Sequence, residues 1–328
     1  MPSLRGLLRT PLRCLIAALA CVTTQASPTQ AQRPPAGAPE PVVFVFDLDD
    51  TLIRYLRPPE TEAGLVLPRE GDLFGYRYRV LDGVAEMLHS LLREVPGARI
   101  AFYSGGPRAR NERILSELML PDGRSAMEAA FLVLSKEETI QEVGDGHPAQ
   151  NTGENARFRG HEKKDLRQFA RDGVKLENVI LIDDNLAWAH RGQEKNFLWL
   201  GSRPKFHQVR LGEGPQSAEE FVRDRNKLAR ARGLIDRALE KSRSDGIPIS
   251  EALWRLQWLP NPAGGEPLYN EPLWTDAALY RRGAQAFHRA NPKYRFTPAA
   301  PDGTQLGCVR DRIEALLAEA LSRVPASP

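Results

Sequence analysis

Residues 42–52, VVFVFDLDDTL, join an apolar run to a cluster of acids. A run of β-branched and aromatic residues this long predicts a strand that is buried on both faces of a parallel sheet. Ligands of such sheets bind beyond the carboxyl ends of the strands, which is where Asp47, Asp49 and Asp50 fall. Acids crowded at a buried strand end repel one another and lose hydration. The segment therefore predicts a site for a cation or a substrate.

Predicted strands and helices alternate through residues 42–205. After the first strand at 42–47, buried strands are predicted at Ala98–Tyr103 and 179–182, short strands at 131–134 and 197–200, and helices at 81–95, 110–118 and 163–171. An irregular stretch over 55–77 and a mobile, glycine-rich loop over 141–160 interrupt the pattern. The alternation predicts a doubly wound, Rossmann-like parallel α/β sheet.

The pattern changes to helices after residue 205, which predicts a helical C-terminal extension over 206–328. One predicted helix begins at the capping box of Ser217 and Glu220, and two more cover 250–258 and 309–321. A Pro-rich irregular stretch is predicted at 260–301. Trp254, Trp258 and Trp274 are expected to pack this extension onto the sheet, and the alternative is a groove that they line.

The first 31 residues predict an export signal, and a Pro-rich linker over 32–41 follows it. Arg5, Arg9 and Arg13 precede the apolar run 14–22, and small residues come next, which is the order of a secretory signal. The apolar run is too short to span a bilayer stably. We therefore expect an exported bacterial protein, periplasmic or secreted. Lipid attachment at Cys21 is the alternative, and it is the one membrane contact expected.

Charge and cysteine content limit the partners of the mature protein. The formal net charge of the whole chain is +3, and the signal carries three arginines and no acid, so the mature chain is near neutral. Nucleic-acid binding depends on clustered Lys and Arg against phosphates, and a near-neutral chain does not favour it, so we expect no nucleic-acid partner. Only Cys308 lies outside the signal, so no internal disulfide is expected.

Further polar residues follow the predicted strands in a fixed order. They are Ser104 with Gly105 and Gly106, then Lys163 and Lys164, then Asp183 and Asp184. Each group falls at the carboxyl end of a strand or at the start of the next helix, so all of them can meet in one crevice. Taken singly, each group also has an ordinary structural explanation, namely a tight turn, a solvated helix start and a helix cap.

The residue types in this set suit the transfer of a phosphoryl group. Asp47 is the candidate nucleophile, which would form an aspartyl phosphate. Asp49 is the candidate acid and base, which would protonate the leaving oxygen and later deprotonate water. Lys164 is the candidate cation that neutralises nucleophile and phosphate, although the pattern alone allows Lys163 the same place.

The remaining candidates bind phosphate and metal. Thr51, Ser104 and Gly105 are candidates for hydrogen bonds to the phosphoryl oxygens. Asp47 and Asp184 are suited to hold a hard cation together with waters, which indicates Mg²⁺. The substrate expected from this chemistry is a phosphoprotein or a small phosphomonoester.

The motifs Asp47-x-Asp49-x-Thr51, Ser104, Lys164 and Asp183-Asp184, in this order, resemble those of the haloacid dehalogenase superfamily. The resemblance implies that Asp47 is the nucleophile and Asp49 the general acid and base. It also implies that the backbone carbonyl of Asp49 joins Asp47 and Asp184 as a ligand of Mg²⁺. The second Asp of the first motif, which dehalogenases of the superfamily lack, favours a phosphatase or a phosphomutase.

Within that superfamily, residues 47–52, 164–166 and 182–184 resemble the protein Ser/Thr phosphatases that act on the carboxy-terminal domain of RNA polymerase II, a family that includes the NLI-interacting factors. The resemblance covers about residues 42–200 and implies a phosphoserine or phosphothreonine substrate. Asp184-Asn185-Leu186 is also similar to secreted acid phosphatases of small phosphomonoesters. A peptide-binding module without turnover, like the import subunits of the same family, is a further alternative.

The spacing of the motifs indicates an open site. About fifty residues separate Thr51 from Ser104, and about sixty separate Ser104 from Lys164. Neither gap holds a large cap in addition to its core elements, and an open cleft admits a bulky phosphoester. Arg108 and Arg110 follow the site closely, and we expect a solvated helix face there, with contact to a phosphate or an acid as the alternative.

Overall fold

The computed structural model describes residues 40–56, 70–73, 76–81, 83–141, 162–201 and 227–293. Its strands are Val42–Phe46 (β1), Ile53–Leu56 (β2), Glu70–Leu73 (β3), Tyr76–Val80 (β4), Ala98–Tyr103 (β5), Ala130–Leu134 (β6), Ile140–Gln141 (β7), Glu162–Lys163 (β8), Val179–Asp183 (β9), Phe197–Trp199 (β10), Trp258–Leu259 (β11) and Leu268–Tyr269 (β12). Its α-helices are Val84–Glu94 (α1), Arg108–Glu117 (α2), Ala126–Ala129 (α3), Lys227–Asp245 (α4), Ile249–Gln257 (α5) and Ala277–Ala290 (α6).

A five-stranded parallel sheet forms the centre of the fold, in the order β10-β9-β1-β5-β6. The apolar strand β1 is buried along its whole length because it lies between two neighbours. The chain runs from β1 outward to β5 and β6 and then crosses to β9 and β10. The chain therefore reverses its direction of winding between the neighbouring strands β1 and β9, and their carboxyl ends form a topological switch point. The predicted doubly wound parallel α/β sheet is confirmed.

The register of the three middle strands places their carboxyl ends at one level. Phe46 lies opposite Phe102 of β5 and opposite Ile182 of β9. Asp47 and Ser104, which follow β1 and β5, and Asp183, which ends β9, therefore come out on the same edge of the sheet. This edge is where the sequence predicts the site.

A small antiparallel sheet, in the order β2-β4-β3, follows β1. The prediction of an irregular stretch over 55–77 is wrong where these strands form. The segment Tyr76–Val80, YRYRV, has the strict alternation of a half-buried strand, and Tyr78 is buried. The surrounding prolines and glycines outweighed that short signal in the sequence.

The helix predicted over 163–171 is also wrong. Lys163 ends β8, and Leu166–Phe169 is a 3₁₀ turn. The Lys164 amide donates to the Trp188 carbonyl at 3.0 Å, so its backbone pairs with the loop that follows β9. The Asp165 side chain then caps the turn by accepting from the Arg167 amide. A helix that included Lys164 would lose the first of these bonds.

The C-terminal helices share one apolar core with the sheet. Trp258 stacks on Trp199 of β10 with ring centroids 6.3 Å apart, and Trp274 meets Trp199 edge-on at 5.4 Å. Trp254 lies 5.5 Å from Trp258. The prediction that these tryptophans pack the extension onto the sheet is confirmed.

The prediction of an irregular stretch over 260–301 is wrong because it contains α6. Asp276 caps this helix by accepting from the Ala278 and Leu279 amides, and apolar residues at helical spacing, including Phe287, form its buried face.

Four predicted features lie outside the described residues: the signal, most of the mobile loop, the capping box at 217–220 and the helix at 309–321. No helix in the described part of the chain has the length and apolar character needed to cross a membrane.

Helices α4 and α6 cross at two glycines. A Cβ atom on Gly233 would lie 2.2 Å from the Leu279 carbonyl oxygen, and one on Gly283 would lie 1.8 Å from the Ala229 carbonyl oxygen. Both contacts are with backbone, which cannot move aside as a flexible side chain does. Glycine is therefore what allows these two helices to approach so closely.

We predict that Gly283→Ala lowers the free energy of unfolding by about 1–3 kcal/mol, because the added methyl group overpacks the helix crossing. In an exposed helix the same change would stabilise by up to about 1 kcal/mol. Urea denaturation monitored by circular dichroism measures the difference. Gln285→Ala, an exposed position on the same helix, is the control and should change stability little. A stabilised Gly283→Ala protein would contradict the close crossing.

Candidate active site

A buried lysine joins two strand ends at the switch point. Lys164 Nζ donates to Asp47 Oδ1 and to Asp183 Oδ2, each at 2.7 Å, and all three side chains are buried. Burial disfavours the ammonium, but the Asp183 and Asp47 carboxylates more than offset this and raise the pKa of Lys164. Lys164 therefore carries its charge at the end of β1. Lys163 instead donates to the Ala187 carbonyl at 2.8 Å, so Lys164 is the lysine at the carboxylates.

Asp184 completes a group of three carboxylates. Oxygen atoms of Asp47, Asp183 and Asp184 all lie within 4.8 Å of one another. The Thr51 hydroxyl accepts from the Asp184 amide at 3.2 Å and donates to Asp184 Oδ1 at 3.4 Å. Thr51 thus positions Asp184, and its predicted contact with phosphate stays a prediction. Trp199 Nε1 holds the same loop by donating to the Asp184 carbonyl at 2.8 Å.

The three carboxylates carry more negative charge than Lys164 neutralises. Burial first, and then the neighbouring Asp183, raise the pKa of Asp184 to about 7. Burial also raises the pKa of Asp47, although Lys164 acts in the opposite direction. A divalent cation would compensate this excess negative charge, and hard carboxylate oxygens are the ligands that Mg²⁺ prefers. Asp183 already accepts hydrogen bonds on both oxygens, from Lys164 and from the Asn185 amide, which favours Asp47 and Asp184 as the ligands.

A second ion pair lies beside the first, on the Ser104 side of the site. Arg110 donates from Nη1 to Asp49 Oδ1 at 3.2 Å and from Nη2 to Asp49 Oδ2 at 2.6 Å. Its Nη2 also donates to Ser104 Oγ at 3.2 Å, while Ser104 Oγ lies 3.4 Å from Asp49 Oδ2. The candidate acid and the candidate phosphate-binding hydroxyl therefore meet on one guanidinium. The expected solvated helix face is wrong for Arg110, which is buried.

Arg108 differs from Arg110 because it points along the surface. It pairs with Glu138 and with Glu112 and is largely exposed, as the sequence predicted. The helix spacing explains the contrast, since residues two apart on a helix face away from each other. Sequence periodicity did not indicate that Arg110 lies on the inward face of the helix.

The backbone of Gly105 lies against a tryptophan that the sequence analysis did not single out. A Cβ atom on Gly105 would come 2.9 Å from the Trp188 ring, and that ring also lies 5.0 Å from Lys164 Nζ. Trp188 therefore contacts the site from the β9 side and gives Lys164 an aromatic face. Gly105 permits this approach because it has no side chain.

The C-terminal extension also contributes a residue to the site. Lys227, the first residue of α4, is buried and donates from Nζ to the Asp50 carbonyl at 2.9 Å. Asp50 has a φ of 56°, in the left-handed region that Asp tolerates better than most residues. Lys227 also counteracts the raised pKa of Asp184. The loop that carries Asp47 and Asp49 is thus held partly by the extension, which no motif in the sequence indicated.

Two of the solved structures that are similar to this chain are of the phosphatase Fcp1. A structure of fission yeast RNA polymerase II CTD phosphatase Fcp1 bound to beryllium fluoride aligns with a TM-score of 0.41 and 13% identity, over 74% of this chain and 80% of that chain. A structure of Fcp1, described as an essential RNA polymerase II CTD phosphatase, aligns with a TM-score of 0.34 and 18% identity, over 76% and 62%. This chain thus spans less than two thirds of the second protein. No protein-family model and no curated protein matches the chain. Similarity this distant carries no conclusion about activity, which must rest on the residues above.

We predict that Asp184→Asn stabilises the metal-free protein. The pKa of Asp184 is raised from 3.8 to about 7, so the folded protein loses stability as the pH rises from about 4 through about 7. At about pH 8 the substitution should raise the free energy of unfolding by on the order of 1–3 kcal/mol. The gain should shrink at about pH 5, where the wild-type carboxyl is mostly protonated.

Thermal unfolding in the presence of a chelator measures this difference at both pH values. Added Mg²⁺ should raise the melting temperature of the wild type more than that of Asp184→Asn, because a charged carboxylate ligand has become a neutral amide. Asp172→Asn, at an exposed turn, serves as the control. An equal Mg²⁺ response in both proteins would show that Asp184 is not a metal ligand.

Proposed function

We propose that this protein is a Mg²⁺-dependent phosphatase of the haloacid dehalogenase superfamily that works through an aspartyl phosphate. The observation that carries the proposal is the buried ion pair between Lys164 and Asp47 at the switch point of the sheet. It holds a carboxylate and a cation at the edge where ligands of parallel sheets bind. Asp49 and Ser104 lie beside it, within hydrogen-bond reach of each other.

In the first step, a carboxylate oxygen of Asp47 attacks phosphorus, and the bond between phosphorus and the ester oxygen breaks. Asp49 gives its proton to the leaving oxygen, so the product leaves as an alcohol. Lys164 neutralises charge on Asp47 and on the incoming phosphate throughout. Ser104 and the amides beside it are placed to donate to the phosphoryl oxygens.

In the second step, water attacks the phosphorus of the aspartyl phosphate, and Asp49 takes a proton from that water. Inorganic phosphate leaves, and the Asp47 carboxylate is restored. Asp47, Asp184 and the backbone carbonyl of Asp49 would hold Mg²⁺, which supplies Lewis-acid charge to the phosphoryl oxygens.

The favoured substrate class is protein phosphoserine or phosphothreonine. The small sheet β2-β4-β3 is the described part of the insertion after β1, and the Asp49 side chain is 34% exposed, which supports access by a bulky phosphoester. The resemblance to secreted acid phosphatases around Asp184 supports small phosphomonoesters as the second candidate. A peptide-binding module that uses the fold without turnover is the third.

We also propose that the protein acts after export. The basic residues ahead of the apolar run 14–22 and the small residues after it support cleavage of residues 1–31. Mass spectrometry of the protein isolated from an expressing bacterium tests this. A mature chain that begins near residue 32 supports export by cleavage, a lipid-modified Cys21 supports anchoring, and an intact N-terminus in the cytoplasm contradicts both.

We predict that Asp47→Asn lowers the rate of aryl-phosphate hydrolysis by on the order of 10³-fold or more, because an amide is not a competent nucleophile. The assay is release of nitrophenol from nitrophenyl phosphate by the purified protein, with Mg²⁺ and with a chelator. Circular dichroism should show an unchanged fold. Turnover retained by Asp47→Asn would refute the assignment of the nucleophile, and Asp172→Asn should behave as the wild type.

A substrate screen separates the three candidates. We expect phosphoserine and phosphothreonine peptides to give higher kcat/KM values than sugar or nucleotide monophosphates, because the Asp49 side chain is 34% exposed among the described residues. Phosphate release is measured for each compound with Mg²⁺ present. The reverse order would favour the small-molecule phosphatase. Tight phosphopeptide binding without any phosphate release would favour the binding module.

A further inference from the structure

Arg110 is a buried cation in the site to which the proposed chemistry gives no role. Its guanidinium side chain is 11% exposed and contacts both Asp49 oxygens and the Ser104 hydroxyl. Taking a guanidinium out of water is costly unless an anion compensates for it. The planar fork of arginine fits carboxylate and phosphate oxygens equally well. Asp49 therefore occupies a place that a phosphoryl group would fit.

The guanidinium is fixed from behind. Arg110 Nε and Nη2 donate to Asn111 Oδ1 at 3.1 and 2.9 Å. Asn111 in turn donates to the Gly106 carbonyl at 2.8 Å and to Ser135 Oγ at 2.9 Å, so its amide orientation is set. Asp49 is the more exposed partner, with 34% of its side chain open to solvent. Of the two charges, the carboxylate is the one placed to move.

Donors converge around the Nη2 end of Arg110. The Gly106 amide donates to Ser104 Oγ at 3.2 Å, and Arg110 Nη2 donates to the same oxygen. A Cβ atom on Gly106 would lie 2.0 Å from Arg110 Nη2, so the guanidinium reaches this place only because residue 106 is glycine. The hydroxyl that is the candidate phosphate ligand is thus surrounded by further donors.

The arrangement conflicts with the proposed role of Asp49. To protonate a leaving oxygen, Asp49 must turn one carboxyl oxygen toward the substrate, yet both oxygens accept from Arg110. An incoming phosphoryl group resolves this conflict, because it supplies the guanidinium with other oxygens. Asp49 is then released toward the leaving group, and it takes up a proton from solvent before it acts as the acid.

We propose that Arg110 is a substrate-binding residue, and that the phosphoryl group replaces Asp49 on its guanidinium when substrate binds. The inference rests on the proposed function, because it takes Asp49 as the acid and Ser104 as a phosphate ligand. It adds that Asp49 acts as an internal anion which competes with phosphate for Arg110. A purely structural role would instead have Arg110 anchor Asp49 permanently.

The first test measures the affinity for inorganic phosphate by isothermal titration calorimetry with Mg²⁺ present. Arg110→Gln should weaken phosphate binding by at least about tenfold, because a charge-assisted hydrogen bond is lost. Arg110→Lys should restore part of the affinity. Arg113→Gln is the matched control, since Arg113 lies on the same helix, is exposed and pairs with Glu117. A retained rise in melting temperature with Mg²⁺ shows that each protein is folded and keeps its metal site.

The second test uses the competition itself. In the protein that keeps Arg110, Asp49→Asn should tighten phosphate binding several-fold, because a carboxylate no longer holds the Arg110 guanidinium. In the Arg110→Gln background the same substitution should have a much smaller effect, and this double-mutant cycle isolates the coupling of the two residues. A structural anchor predicts that Asp49→Asn leaves phosphate affinity unchanged or lowers it.

Gly106→Ala gives an independent check, since it displaces the guanidinium while arginine remains. It should weaken phosphate binding as Arg110→Gln does. Unchanged phosphate affinity in Arg110→Gln and Gly106→Ala would overturn the proposal, and so would a wild type that binds no phosphate. If the wild type binds phosphate through Arg110 but hydrolyses no ester, the proposed hydrolase is wrong and the phosphate site stands. If it hydrolyses esters with an unchanged KM in Arg110→Gln, only the role of Arg110 is wrong.

Discussion

The buried ammonium of Lys164 is the charge on which the candidate active site depends. It compensates carboxylates at the ends of two adjacent strands, Asp47 directly after β1 and Asp183 at the end of β9. Removing one partner of a buried ion pair typically costs about 3–5 kcal/mol, because the other charge is left without compensation. Lys164 therefore stabilises the strand ends and keeps the Asp47 carboxylate where a substrate would bind. The negative charge of the three carboxylates that Lys164 does not compensate is what makes a bound cation favourable.

The C-terminal extension belongs to this site rather than standing apart from it. Lys227 binds the carbonyl of Asp50, and Trp199, which packs against Trp258 and Trp274 of the extension, binds the carbonyl of Asp184. Both loops that carry acids are thus held by contacts that involve the extension. Helix α4, which begins at Lys227, also crosses α6 closely at Gly233 and Gly283.

The sequence predicted some elements well and others poorly, for identifiable reasons. The strands β1, β5 and β9 are long apolar runs, and such runs are buried in almost any parallel sheet. The predicted helix at 163–171 failed because the Lys164 amide bonds to Trp188, a partner that is remote in sequence. Helix α6 was missed because flanking prolines and glycines obscured its apolar spacing. Local patterns were reliable only where no distant contact competed with them.

The sequence alone determined the parallel sheet and the motifs at its carboxyl edge, because hydrophobic periodicity and strand-end polarity are local properties. Only the tertiary structure decided which cations serve them. Lys164 meets Asp47 across 117 residues, Arg110 meets Asp49 across 61, and Lys227 reaches Asp50 across 177. A side chain's direction depends on the packing of both partners, and no pattern along the chain encodes that packing for a single charged residue.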